Sequence, residues 1–316
     1  MNKEQLRDEF VKLYYPQNIP DCISVIDKFC NFFITVVSEE NKISDTEAER
    51  EAKIILQMIM TKALHLKSVI SGIKYETVRG ISLNNIIDPT IVSVLIRNAY
   101  EMIALFNLIF RANKKGDERD ICHKLWTISG LKYRQGFESA IEAEENRKKF
   151  IDEQIIIRNL VTEIGNTVLY QSLNERNKSK IQNQIKIKNY LVKFENNQVS
   201  ILTWKDLYKT LNVREGIFNH AYSYFSLYTH PTNVSVFQFR DMFNSTENTF
   251  INNTTFNLQY FFMFLGIFVA DYINLFPETI KIFNNLELID QIIINAHNKF
   301  ARDLSYSIND ASSALD

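Results

Sequence analysis

The stretch DPTIVSVLIRNAYEMIALFNLIFRA, Asp88 to Ala112, decides the fold class. Asp88 is a capping residue, and Pro89 suits the first helical position, where its missing N–H costs nothing. The residues that follow are apolar on most sides of a 3.6-residue repeat, which predicts a central helix. Arg97 and Glu101 interrupt it, four residues apart and therefore on one face within ion-pair reach. Taking charges out of water costs on the order of several kcal/mol per ion, recovered only with good geometry and further hydrogen bonds. Another polar group is therefore expected to face the pair, as part of a structural clamp or of a site.

The same helical grammar extends outward. In 316 residues there are only 8 glycines and 5 prolines, with 46% hydrophobic residues, so turn-formers are scarce and an all-α protein follows, a multi-helix bundle with long antiparallel helices. A helix over residues 3–14 stops near Pro16. Ser44 and Glu47 have capping-box spacing and open a run to about Ser71. Asp117 starts a shorter helix, and a second box, Ser139 with Glu142, opens a charged helix to about Gln171. The Lys/Asn-rich segment 174–200 is open between a helix, a β-branched extended piece and an irregular or mobile insertion. From Trp204 order returns, with a cap at Asn212, a helix through about Tyr228, an apolar helix from about Thr255 and two pieces ending near Leu304. This divides the chain into an N-terminal helical extension (1–42), a main helical domain (43–304) and a polar tail (305–316) expected to be disordered.

Composition narrows the functional classes. Formal net charge is −1, so no global basic field drives nucleic-acid binding. The apolar run Tyr260–Ala270, about 11 residues, is too short to span a bilayer and is followed by Asp271 and Asn274, so a core helix and no membrane partner are expected. The charged start MNKEQLRDEF is unlike a signal peptide, and Cys22, Cys30 and Cys122 read as free thiols of a cytoplasmic protein. Neither a glycine-rich phosphate loop nor a closed ligand set is visible, so no cofactor and no metal are expected.

A second constellation lies in HAYSYFSLYTHPT, His220 to Thr232. Tyr222, Ser226 and His230 are successive i,i+4 positions, so two hydroxyls and an imidazole line one stripe of a helix that Pro231 should end, while Tyr224 and Tyr228 face away. Positive charge is favoured at a helix C-terminus, which suits a proton donor or a phosphate-contacting group at His230. Ser226 lacks a nucleophile elbow or a visible third member of a hydrolase triad. Upstream, Arg214 and His220 form an R-x5-H spacing, with Glu215 after the arginine.

The pairing of RxxYE (Arg97–Glu101) with YxxxSxxxHP (Tyr222–Pro231) resembles a family of uncharacterised bacterial all-helical proteins, over about residues 45–275. That family is itself similar to HEPN domains, helical bundles that include RNA-cleaving toxins of toxin–antitoxin, abortive-infection and CRISPR defence systems. The resemblance implies a HEPN-like core in which Arg97, Glu101 and His230, with Ser226 and Tyr222 beside them, or Arg214 and His220 in the RX4–6H pattern, would polarise an RNA phosphate for attack by the neighbouring 2′-hydroxyl without metal. RNA and a second copy or a cognate partner protein are the partners it implies. The competing reading is a non-catalytic interaction or sensor protein whose Arg–Glu–His group is a buried structural network.

Overall fold

The computed structural model describes residues 2–39, 46–113, 116–230, 232–244 and 249–315. Helix takes 78% of it and strand 5%, so the chain is all-α in class. It divides into two compact units, one formed by residues 1–104 with 211–316, the other by 105–210.

The first unit opens with α1 (Lys3–Tyr14), α2 (Ile19–Glu39) and α3 (Glu47–Ile70). The expected capping box at Ser44 is displaced by two residues. Ser44 lies outside the described residues, and the cap is Thr46, whose hydroxyl accepts from Glu49 N while Glu49 reaches back to Thr46 N. A hairpin follows, β1 (Ile73–Glu76) and β2 (Ser82–Ile86), and then α4 (Pro89–Asn107).

In the second unit a π-helical turn, Leu108–Ala112, precedes α5 (Asp117–Arg134), α6 (Glu144–Asn166), α7 (Val168–Ser172) and α8 (Glu175–Ile187). The Ser139 box is not used, because residues 135–140 form a 3-10 turn and α6 starts after Ala143 with no side-chain cap. Helices α5 and α6 are antiparallel, with Lys124 beside Glu163 and Gln135 beside Glu153. The segment 174–200, open between helix, extended chain and an irregular insertion, is α8 followed by a hairpin, β3 (Val192–Glu195) and β4 (Gln198–Ile201). Its turn is Asn196-Asn197, both at positive φ (49° and 58°), which asparagine tolerates and a two-residue hairpin turn of this hand requires. Buried Asn177 holds α8 to the hairpin, donating to Asn197 O and accepting from Val199 N. Asn113 does the same for β3, donating to Val192 O and accepting from Phe194 N. Ile121, Leu125, Ile164, Ile181 and Phe194 fill the core between them.

The chain returns to the first unit through α9 (Ala221–Thr229), α10 (Asn233–Asn244), α11 (Thr249–Leu275), α12 (Ile280–Asn285) and α13 (Leu288–Ala301). Helices α11 and α13 make the main contact of this unit. At Gly266 they approach so closely that a Cβ would lie 2.8 Å from the backbone nitrogen of Asn298. One turn on, Asp271 accepts from Arg302 at 2.8 Å. Both contacts advance together along the two helices, so α11 and α13 run parallel, with α12 on the return path, beside antiparallel pairs such as α5 and α6. Phe33 of α2 packs on Phe268, and Phe32 on Phe283. Pro89–Ala112 and Thr249–Leu275 are each long and apolar enough to cross a membrane; they are 61% and 72% buried within the fold.

Through residue 315 the polar tail is folded, not disordered. Residues 304–306 and 311–315 form 3-10 turns. Asn295 of α13 donates to Asn309 O and accepts from Ile308 N, and Lys299 donates to Ser312 Oγ. These bonds exist because α13 presents asparagines, not aliphatic residues, toward the segment that follows it.

Asp271 and Arg302 have side chains only 4% and 2% exposed. Asp271→Ala strands a buried guanidinium and is expected to cost about 3–5 kcal/mol, read from urea denaturation. His297 sits among Tyr14, Phe29 and Phe262, with no hydrogen-bond partner at Nε2, and burial pushes its pKa down to about 3. The unfolded chain takes up this proton below its ordinary value of 6.5 and the folded chain does not. Stability therefore falls as pH drops below 6.5, by roughly 1.4 kcal/mol per unit. Between about pH 7.5 and pH 5 the native chain should lose about 2 kcal/mol that His297→Leu does not lose; equal losses in both proteins would refute the assignment.

Candidate functional site

Helix α4 buries Ile96, Ala99, Tyr100 and Ile103 and carries Arg97 and Glu101 along the flank of that face. Their side chains are 13% and 25% exposed, so the pair is half-buried. Arg97 Nε donates to Glu101 Oε1 at 2.9 Å, as the i,i+4 spacing predicts. The expected third polar group is Tyr222 of α9, whose hydroxyl accepts from Arg97 Nη2 at 2.6 Å. Its ring also lies under the guanidinium, 4.4 Å from ring centroid to Cζ. The other face of this arrangement is aromatic: Tyr100 packs against Tyr222 and Phe264.

His230 completes the group. Its Nε2 lies 3.5 Å from Arg97 Nη1, and the residue is exposed. Helix α9 ends at Thr229, and the His230 N–H closes the last turn on Ser226 O at 3.2 Å. Pro231, expected to end the helix, lies outside the described residues. The guanidinium is thus gripped on two edges and one face, and an imidazole with one side open to solvent stands at its third edge. Such a group can bind an oxyanion through the arginine while the histidine moves a proton.

The other expected residues are placed elsewhere. Ser226 donates its hydroxyl to Tyr222 O at 2.6 Å, a bond within α9 that takes it out of the cluster. The helix expected from Asn212 begins only at Ala221, so Arg214 and His220 do not share a helix face. Arg214 caps the end of α13: its Nε donates to Arg302 O at 2.8 Å, its Nη2 to Lys299 O at 3.0 Å, and its backbone N–H to Ala301 O. His220 is exposed just before α9, and its carbonyl accepts from Tyr224 N. Tyr224 and Tyr228, expected on the opposite side, do lie there, donating to Asn257 and Gln238.

In the 174–193 segment, three lysines are engaged within the second unit. Lys178 pairs with Glu175, Lys193 with Glu195, and Lys180 donates to Val199 O. Among the described residues no three His, Cys, Asp or Glu side chains are grouped to hold a metal ion. Burial pushes the thiols of Cys22, Cys30 and Cys122 up to about 12, well away from the reactive thiolate form.

The interaction that sequence reading did not assign is the stacking of Tyr222 on Arg97; the signal available was a tyrosine on the same stripe as His230. No protein-family model, curated protein or solved structure matches this chain.

Tyr222→Phe keeps the ring and removes the hydroxyl acceptor, and should cost about 1 kcal/mol. Tyr222→Leu removes the stacked face as well and should cost a further ~0.5–1 kcal/mol. Equal losses in urea denaturation would show that the ring contributes nothing beyond its hydroxyl.

Proposed function

We propose that the Arg97–Glu101–Tyr222–His230 cluster is the centre of a metal-independent ribonuclease, in a HEPN-like helical protein of a bacterial defence or toxin system. The observation that carries this reading is the solvent-exposed imidazole of His230 within 3.5 Å of a guanidinium already fixed by a carboxylate and a tyrosine. Arg97 Nη1 would hold a phosphate oxygen and stabilise charge as the phosphorane forms. His230 would take the proton of the attacking 2′-hydroxyl or deliver one to the departing 5′-oxygen. Glu101 and Tyr222 would hold the arginine in one orientation, so that little side-chain freedom is lost when the phosphate binds. Products would be a 2′,3′-cyclic phosphate and a 5′-hydroxyl.

A second reading has its own observation. Three nitrogens of Arg97 have neighbours within the chain, as in a non-catalytic interaction or sensor protein whose polar group fixes helix register.

Defined single-stranded RNA and total RNA, incubated in EDTA with wild type, His230→Ala, His220→Ala and Arg97→Ala, separate the two. The ribonuclease reading expects cleavage by wild type and His220→Ala, and at least a hundredfold loss, roughly, in His230→Ala and Arg97→Ala. His230→Ala should unfold at the wild-type temperature, because His230 is exposed. Inert wild-type protein, or cleavage unchanged by every substitution, would leave the non-catalytic reading standing.

A further inference from the structure

The hairpin of β1 and β2 is a sheet of two strands only, and every residue of β1 is exposed. Tyr75 faces Leu83 and Ile73 faces Ile86 across it, so one face is apolar and the other carries Lys74, Glu76 and Ser82. Ile73, Tyr75 and Ile81 are 58%, 67% and 68% exposed. A lone two-stranded hairpin is marginal in water, and one with an exposed apolar face gains by widening.

The outer edge of β1 is regular. Two residues of β2 but only one of β1 lie between the pairs Ile73/Ile86 and Tyr75/Leu83, so the irregularity sits on β2. Thr77 N donates to Ile81 O inside the hairpin. By the alternation of an antiparallel ladder, Tyr75 also turns its peptide groups inward, and Lys74 and Glu76 turn theirs outward.

The sequence on that edge, Ile73-Lys74-Tyr75-Glu76-Thr77, is its own electrostatic complement. Read against itself in reverse about Tyr75, lysine meets glutamate at both flanking positions. Among the described residues, neither Lys74 nor Glu76 has an ion-pair partner within the chain. We propose that β1 pairs antiparallel with β1 of a second copy about a two-fold axis at Tyr75, giving a four-stranded sheet in the order β2–β1–β1–β2.

In that pairing the outward-facing residues fall opposite one another, as they must. Lys74 of each copy faces Glu76 of the other and exchanges both backbone hydrogen bonds with it. The two Tyr75 residues form the closer, non-hydrogen-bonded pair on the apolar face, where aromatic cross-strand pairs are favourable. The axis repeats each contact, so the interface is isologous and closes at two copies. Its area is small, so dimerisation should depend on concentration within roughly the micromolar range.

Sedimentation of the full chain tests this through charge exchange. Wild type should show a monomer–dimer equilibrium. Lys74→Glu or Glu76→Lys alone places like charges opposite each other twice and should weaken the dimer at least tenfold, roughly. The double exchange Lys74→Glu/Glu76→Lys should restore it. Tyr75→Cys should give a disulfide-linked dimer on mild oxidation, because non-hydrogen-bonded antiparallel pairs lie about 4.5 Å apart at Cα. A wild-type chain that stays monomeric up to about 100 µM would overturn the proposal. So would a dimer that ignores the single reversals, which would place the contact on another face, or a partner strand from a different protein that occupies the edge in its stead.

Discussion

A single buried ion pair, Asp271 with Arg302, holds the end of α13 against α11, and several neighbouring segments converge on it. Arg302 Nε donates to Leu211 O, and its guanidinium lies over the ring of Tyr306. Arg214 then binds the carbonyls of Lys299 and Arg302. One charged contact therefore sets where the chain re-enters the first unit, how its last residues fold back, and where α9 begins. The burial that makes the pair costly is also what makes its geometry unambiguous: a desolvated guanidinium is stable only where all its donors find acceptors.

The cluster at Arg97 follows the opposite design. Its charges are half-buried, one hydrogen bond lies within α4 and another joins α4 to α9, and its histidine faces water. The two arginines show how environment divides one chemistry into two uses. Arg302, in the interior, directs its donors to a carboxylate and a carbonyl within the chain; Arg97, on a flank, is held by its neighbours with one edge toward an exposed imidazole.

Much of this was legible in the residues. Asp88-Pro89 marks the start of α4, Arg97 and Glu101 must share a face, and a charged pair in so apolar a helix needs another polar partner. The stripe of Tyr222 and His230 offered suitable partners, but nothing in local spacing brings together residues 125 positions apart. Two kinds of competition overrode the local pattern, a long-range bond at Arg214 and a bond within the helix at Ser226. Arg214 is drawn to the end of α13 and Gly216 takes φ of 88°, so the helix expected from Asn212 cannot form there. Ser226 prefers its own helix backbone. The Asn196-Asn197 turn, by contrast, was readable: two asparagines between alternating strands are a hairpin signal that a high lysine and asparagine content obscured.

Gly266 has the last consequence. Most positions of α11 meet side chains on the helices around them, so volume lost at one can be matched by volume gained at another, as in any packed core. At Gly266 the neighbour is backbone, and no such exchange is open. Related chains that keep this architecture are thus free to vary the aromatic residues around the crossing in compensating pairs, but at this one site the only compensation is for two helices to part, taking with them the ion pair one turn further along.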